Sequence, residues 1–197
     1  IYLELTYLYL WVNTEKAVSA HLKLLNLAEG FEESRELAHA YSVHALVCTN
    51  LGLYERAATY AQKALDLRKR LGDRGDIAQS HSFMGSSAYA AGHLDEAVEH
   101  LERAYDTIYA QRHGELLEAA WAAAHLGFTY YLKGELREAQ DISQLLIRAA
   151  EGEFQNERGA AWGRCLLGLV HQAQGRVPKA LVLLQQAALV GQNYYDN

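Results

Sequence analysis

Apolar residues recur every three or four positions along almost the whole chain, and a glycine breaks the recurrence at regular intervals. Leu37, Ala38, Tyr41, Ala45, Cys48 and Leu51 trace one helical face. After Gly52, the residues Tyr54, Ala57, Ala58, Ala61, Ala64 and Leu65 trace a second face, with Glu55, Arg56, Gln62, Lys63, Asp66 and Lys69 opposite them. The spacing predicts two amphipathic helices joined by a short turn. The turn signature G-x-x-x-x-A recurs in phase from Gly52, Gly92, Gly134 and Gly175, at intervals of 40, 42 and 41 residues. A fifth copy without its glycine, V-N-T-E-K-A, ends at Ala17 in the same phase. Each period therefore reads as a helical hairpin, and the chain as one repeat array over 1–197 with approximate repeats 1–32, 33–74, 75–114, 115–154 and 155–197. The fold class that follows is all-α, an α-α superhelix of about five hairpins stacked in one dimension.

Gly52, Gly92, Gly134 and Gly175 are expected to end the first helix of each pair in the left-handed conformation. A second series, Gly30, Gly72, Gly114, Gly152 and Gly191, falls near the ends of the second helices. Pro178 sits just inside the start of the last helix, where its missing N–H does no harm. Asp76 with Gln79 three residues on reads as a capping pair. Small residues recur at matched positions: Ala17, Ala57, Ala97, Ala139 and Ala180 on the second helices, and Ala45, Gly85, Gly127 and Gly168 on the first. Side chains no larger than a methyl let two helix backbones approach closely.

Composition narrows the function classes. The 18 basic against 24 acidic residues give a net charge of -6, which argues against nucleic acid or an anionic membrane as the main partner. No apolar run reaches the length of a membrane-spanning helix. Cys48 and Cys165, the 2 cysteines, fit a reducing, cytoplasmic setting better than a disulfide scaffold. Ile1 is not an initiator Met, so the chain reads as a piece of a longer protein.

The segments H-A-L-V-C-T-N-L-G-L-Y-E-R-A-A-T-Y-A-Q-K-A-L and M-G-S-S-A-Y-A-A-G-H-L-D-E-A-V-E-H-L-E-R-A resemble the tetratricopeptide repeat (TPR). The resemblance covers essentially the whole chain, with two departures: a period of about 40 in place of 34, and no closing proline. It implies a TPR-like solenoid with long helices, as in kinesin light chains. A narrower resemblance rests on H-L-K-L-L-N-L-A-E-G-F-E-E-S-R-E-L-A-H-A-Y-S from His21, R-L-G-D from Arg70 and E-R-G-A-A-W-G-R-C-L-L-G-L-V from Glu157. These look like the C-terminal repeats of bacterial AAA/STAND-type ATPases linked to class III adenylate or guanylate cyclases, and of LuxR-like and SARP-like regulators. The parent would then be the enzyme. This chain has no G-x-x-x-x-G-K-[ST] loop to bind a nucleotide phosphate.

Nine histidines raise the question of metal, but no H-E-x-x-H or C-x-x-C occurs, and no metal or other cofactor is expected. His39 and His44, five apart, point in different directions. His21, His81 and His171 fall on core-facing positions, where a hydrogen-bonded packing histidine is the plain reading. R-G-D at Arg74–Asp76 falls between repeats and reads as chance. Arg68, Lys69 and Arg70 read as a solvated helix end, with Asp66 four residues before Arg70 suited to pairing. No catalytic constellation stands out.

The remaining candidate is the groove that the first helices of a solenoid line on its concave face. Its positions are His39, Ser42, Gln79, Ser82, Ser86 and Tyr89, then Trp121, His125, Phe128, Tyr131, Trp162 and Gln172. No Lys or Arg is among them, which sets aside the carboxylate clamp of chaperone-binding relatives. Trp121, Tyr131 and Trp162 suit anchoring of an amphipathic helix or extended peptide, although aromatics also pack between repeats. The expected function is a non-catalytic module that binds a protein, a peptide or another domain of its own parent. The alternatives are a sensor or autoinhibitory arm of a signalling ATPase, cyclase or transcriptional regulator, and a homo-oligomerisation module. Self-association would use apolar faces at the ends: Tyr2, Leu3, Leu10 and Trp11, and Leu183, Leu184 and Tyr194.

Overall fold

The computed structural model describes residues 5, 9, 13–72, 74–111, 116–151 and 157–195. Among them nine α-helices follow in order: α1 (Thr14–Ala28), α2 (Arg35–Asn50), α3 (Tyr54–Leu71), α4 (Arg74–Ala91), α5 (Leu94–Gln111), α6 (Leu116–Lys133), α7 (Leu136–Glu151), α8 (Glu157–Ala173) and α9 (Val177–Tyr195). The protein is all-α, with the predicted left-handed glycine turns after α2, α4, α6 and α8. No helix among the described residues is long and apolar enough to cross a membrane.

The four turns are built identically, for a reason visible in the repeat signature. Gly52, Gly92, Gly134 and Gly175 have φ of 73°, 82°, 80° and 74°, the left-handed region that a Cβ disfavours. In that conformation the residue after each glycine turns its N–H back on the helix it has left. Leu53 donates to Cys48 O at 2.8 Å, His93 to Ala88 O at 2.9 Å, Glu135 to Tyr130 O at 2.9 Å and Arg176 to His171 O at 2.8 Å. Each glycine N–H donates to the carbonyl three residues before it. This paired arrangement satisfies carbonyls that a helix end leaves open. Gly72 closes α3 in the same conformation, donating to Arg68 O at 3.0 Å. At the opposite ends, Asn13 Oδ1 accepts from Lys16 N at 3.0 Å and Ser34 Oγ from Leu37 N at 3.2 Å, which caps α1 and α2.

Three local expectations give way. Asp76 lies in the first turn of α4, which starts at Arg74, so it is no N-cap and R-G-D is no loop. Gly191 lies inside α9 and ends nothing. Gly114 and Gly152 lie outside the described residues. Pro178 is, as expected, the second residue of its helix.

The chain forms two compact units, residues 1–93 and 94–197. In the first, Leu25 and Ala28 of α1, Leu37, Ala38 and Ala40 of α2 and Leu67 of α3 make a buried cluster, with Leu24, Tyr41 and Tyr60 packed against it. In the second, Ala123, Ala124 and Leu146 make one cluster and Ala139, Leu166 and Val170 another, and Phe128 packs against both.

The small residues do what their spacing requires. Ala17, Ala57, Ala97, Ala139 and Ala180 are all buried, none above 3% exposure. The glycines mark closer approaches still. A Cβ added at Gly163 of α8 would lie 2.9 Å from Ser143 O and 2.8 Å from Ile147 Cγ1 of α7. At Gly168 it would lie 2.8 Å from Leu184 Cγ of α9. At Gly127 it would collide with Leu166 Cδ2. A backbone oxygen cannot rotate away as a side chain can, so Gly163 is the most constrained of the three. Gly163→Ala should lower stability by about 1 to 3 kcal/mol. Gly191→Ala, whose methyl meets nothing within 4 Å, should leave stability unchanged or raise it by up to about 1 kcal/mol. Thermal melting of the two variants separates a packing glycine from an incidental one; equal melting temperatures would contradict the helix contact described.

Candidate functional site

In residues 1–93 the predicted groove positions lead to a buried guanidinium. Ala57, Ala61, Ala64, Leu65 and Arg68 follow one stripe of α3, and Arg68 is only 1% exposed. Its Nη1 donates to Ser42 Oγ of α2 at 3.0 Å and to Ser80 Oγ of α4 at 2.7 Å, while Nη2 donates to Gln79 Oε1. Arg68 thus ties three helices at once. Asp76 accepts from Arg35 Nε and Nη2 at 2.6 and 2.9 Å. That pair holds its carboxyl below the usual range, with Arg68 and His39 adding to the effect. The solvated-end reading fails for Arg68 and holds for its neighbours. Lys69 is exposed. Arg70 pairs with Glu33 at 2.7 Å, and Asp66 accepts from Gln62 instead.

A second polar cluster joins α1, α2 and α3. His21 Nε2 lies 2.9 Å from His44 Nδ1, both rings buried. His44 Nε2 accepts from Arg56 Nε at 3.2 Å and lies 3.5 Å from Cys48 Sγ. Tyr60 meets the His44 ring edge-on at 4.2 Å, and Lys63 stands 4.5 Å over Tyr60. Burial, then the neighbouring His44, pull His21 from the usual 6.5 down to about 4. Burial lowers His44 as well, helped by Arg56 and Lys63. Burial raises the Cys48 thiol, against a smaller pull from Arg56, so it stays a neutral packing group.

In residues 94–197 the positions are aromatic. The Trp121 ring lies 4.4 Å from that of His125 and 5.9 Å, edge to face, from Trp162. His125 Nδ1 donates to Trp121 O, one turn back, at 2.9 Å. Burial lowers its pKa, partly offset by that carbonyl. The result is an imidazole held toward its neutral form against the Trp121 indole. Trp121, Phe128, Tyr131 and Trp162 are all half-buried: part of each ring packs on the core clusters or on its neighbours, and part remains accessible. Next to them Tyr130 Oη donates to Glu102 Oε1 at 2.5 Å.

The predicted positions therefore divide. Trp121, His125 and Trp162 come together, and Phe128 and Tyr131 continue along α6. His39, Gln79 and Tyr89 are half-buried and Gln172 is exposed. Ser42, Ser82 and Ser86 are buried, at 0%, 5% and 6% exposure, so they back the face instead of lining it. Sequence reasoning missed Arg68 and the His21–His44 contact. The continuity of the Ala61, Ala64, Leu65 stripe into Arg68 was the available signal for the first. At the end of the chain Leu183 and Leu184 are half-buried, and the exposed apolar residues of α9 are Val177, Leu181, Val182 and Leu189. The side chain of Tyr194, and residues Tyr2, Leu3, Leu10 and Trp11, lie outside the described residues. Among the described residues no three His, Cys, Asp or Glu side chains converge as a metal site would require.

Comparison with known proteins places this geometry. Tetratricopeptide repeat family patterns match residues 36–110 and 161–186, together about half of the chain. No curated protein matches the sequence. Among solved structures, the chain is similar to a Podosopora anserina putative kinesin light chain with nearly identical TPR-like repeats: 17% identity, 97% of this chain and 93% of that one, TM-score 0.70. It is also similar to a signal-transduction ATPase with numerous domains (STAND) from Pyrococcus horikoshii that carries a tetratricopeptide repeat sensor: 23% identity, 95% of this chain and 29% of that one, TM-score 0.71. A Rap protein complexed with Competence and Sporulation Factor matches at 15% identity, 93% of this chain and 60% of that one, TM-score 0.71.

Arg68 offers a direct test of the first unit's polar seam. Arg68→Met keeps the aliphatic stem but strips Ser42, Ser80 and Gln79 of their shared donor, and should cost about 2 to 4 kcal/mol of stability. Chemical denaturation measures it. A Lys69→Met control, one residue along on the solvated side, should change nothing.

Proposed function

Since the chain is a tetratricopeptide-repeat array, we propose that it is a non-catalytic module that binds a protein or peptide partner along the concave face of its first helices. The observation that carries this reading is the aromatic surface of α6 and α8. Trp121 contacts both His125 and Trp162, yet Trp121 and Trp162 keep part of their rings accessible. Rigid, half-covered indoles offer a partner a large apolar area at small entropic cost. The face lacks the basic side chains that would select an acidic terminus. Its preferred ligand is therefore an amphipathic helix or extended segment with apolar anchors. The partner is protein, with no role for nucleic acid, membrane or cofactor, in a cytoplasmic protein.

The likeness to a STAND protein with a repeat sensor supports a second reading of the same surface: the array senses a ligand, or holds the ATPase or cyclase part of its own parent inactive. A self-association module is the third, supported by the exposed Val177, Leu181, Val182 and Leu189 of α9. Selection of binders from a random peptide display library, followed by titration with the best one, tests the first. Trp121→Ala and Tyr131→Ala should each weaken binding by about 2 kcal/mol, some thirty-fold, with melting temperature retained. Peptides that bind both variants as tightly as the parent would remove the aromatic face from the site.

A further inference from the structure

A guanidinium only donates hydrogen bonds, so the His44 Nε2 that accepts from Arg56 carries a lone pair. The His44 proton is then on Nδ1, which donates to His21 Nε2 at 2.9 Å. His21 must in turn hold its proton on Nδ1, a buried atom with no hydrogen-bond partner among the described residues. The file Arg56→His44→His21 thus has one direction and room for no further proton. If His21 gains one on Nε2, His44 must turn its own proton to Nε2, toward Arg56. If His44 gains one, the same donor–donor contact forms at once.

Among the described residues that pack against the pair, no carboxylate is left to neutralise the added charge. From α1 the face toward α2 carries Ala17, Ala20, His21, Leu25 and Ala28, all buried. From α2 come Cys48 and Tyr41, both kept neutral by burial. From α3 come Tyr60 and the cations Arg56 and Lys63. The carboxylate of Glu29 is engaged by Tyr41, and that of Asp76, on α4, by Arg35. A buried imidazolium facing cations is unfavourable until water reaches it.

We propose that the His21–His44 pair is a proton-operated latch, which holds α1 against α2 while both rings are neutral and releases α1 when one proton enters. The sign follows from linkage. The docked state binds its proton less readily than the released state, so release is favoured progressively as pH falls below about 6.5 and levels off below about 4. At pH 5 one such imidazole raises the opening constant of α1 about thirty-fold over its value at pH 7.5.

Hydrogen–deuterium exchange of the full chain at pH 7.5 and 5.0, corrected for intrinsic exchange, reads this directly. Amides of α1 should show a rise in opening of that order, and those of α8 less than three-fold. His21→Leu should flatten the α1 response. Arg56→Met, an exposed position whose loss removes both the opposing donor and a cation, should ease protonation of the docked pair, so that the α1 response is smaller at pH 5.0 and levels off at a higher pH. An α1 response no larger than that of α8, or one that survives His21→Leu, overturns the latch. Should His21→Leu fail to fold, an unchanged α1 profile in Arg56→Met overturns it equally.

Discussion

Two helix backbones come into close contact only where no side chain larger than a methyl stands between them, and this chain meets that condition at fixed places in every repeat. Within each unit, the left-handed glycines Gly52, Gly134 and Gly175 set how the following helix returns along the one before it. The alanine five residues after each of these glycines is buried. The aromatic face of α6 and α8 inherits its geometry from such contacts. Gly163 rests on the Ser143 carbonyl of α7, and its neighbour Trp162, about 100° further round the helix, is thereby turned toward Trp121 of α6. An alanine at 163 would push α8 outward and carry the indole with it. Packing and site are linked through one missing Cβ.

The same constraint leaves other positions free, and the two units use that freedom differently. Residues 1–93 bury Arg68, His21, His44, Ser42 and Ser80 among their helices. Residues 94–197 put Phe128, Leu146, Leu166 and Val170 into their clusters. A buried polar network is directional: Arg68 fixes Ser42, Ser80 and Gln79 together, and loses all three contacts together. An apolar cluster tolerates small shifts. The same hairpin therefore supports a polar seam with one preferred arrangement in one unit and an aromatic face in the other.

What the sequence made legible was whatever repeats. Five copies of a small residue and four of a glycine turn reveal helix order, turn conformation and crossing points, because each copy independently confirms the phase. Features that occur once are carried by no such redundancy. Arg68 sits in a run of three basic residues, and charge alone points it outward; only its place on the alanine stripe of α3 says otherwise. His44 pairs with a residue 23 positions away, a contact between helices that periodicity does not encode. Asp76 and Gln79 have the spacing of a cap, but Arg35, 41 positions before Asp76, and Arg68 claim them instead. The aromatic positions were found from register, while their half-burial depends on neighbouring helices and became visible only in three dimensions.

The charges complete the picture by where they are spent. Arg35 pairs with Asp76, Arg70 with Glu33, Arg103 with Glu99, and Lys133 with Asp95 and Glu135. Such exposed pairs contribute little stability, but they do commit basic side chains that would otherwise be open to an acidic partner. A net charge of -6 disfavours polyanions from a distance, and the paired cations deny them a foothold at close range. On the proposed reading, recognition falls to area and shape, which the half-buried aromatic rings of α6 and α8 would supply. Fit, in turn, is what closely packed, glycine-set helices hold constant.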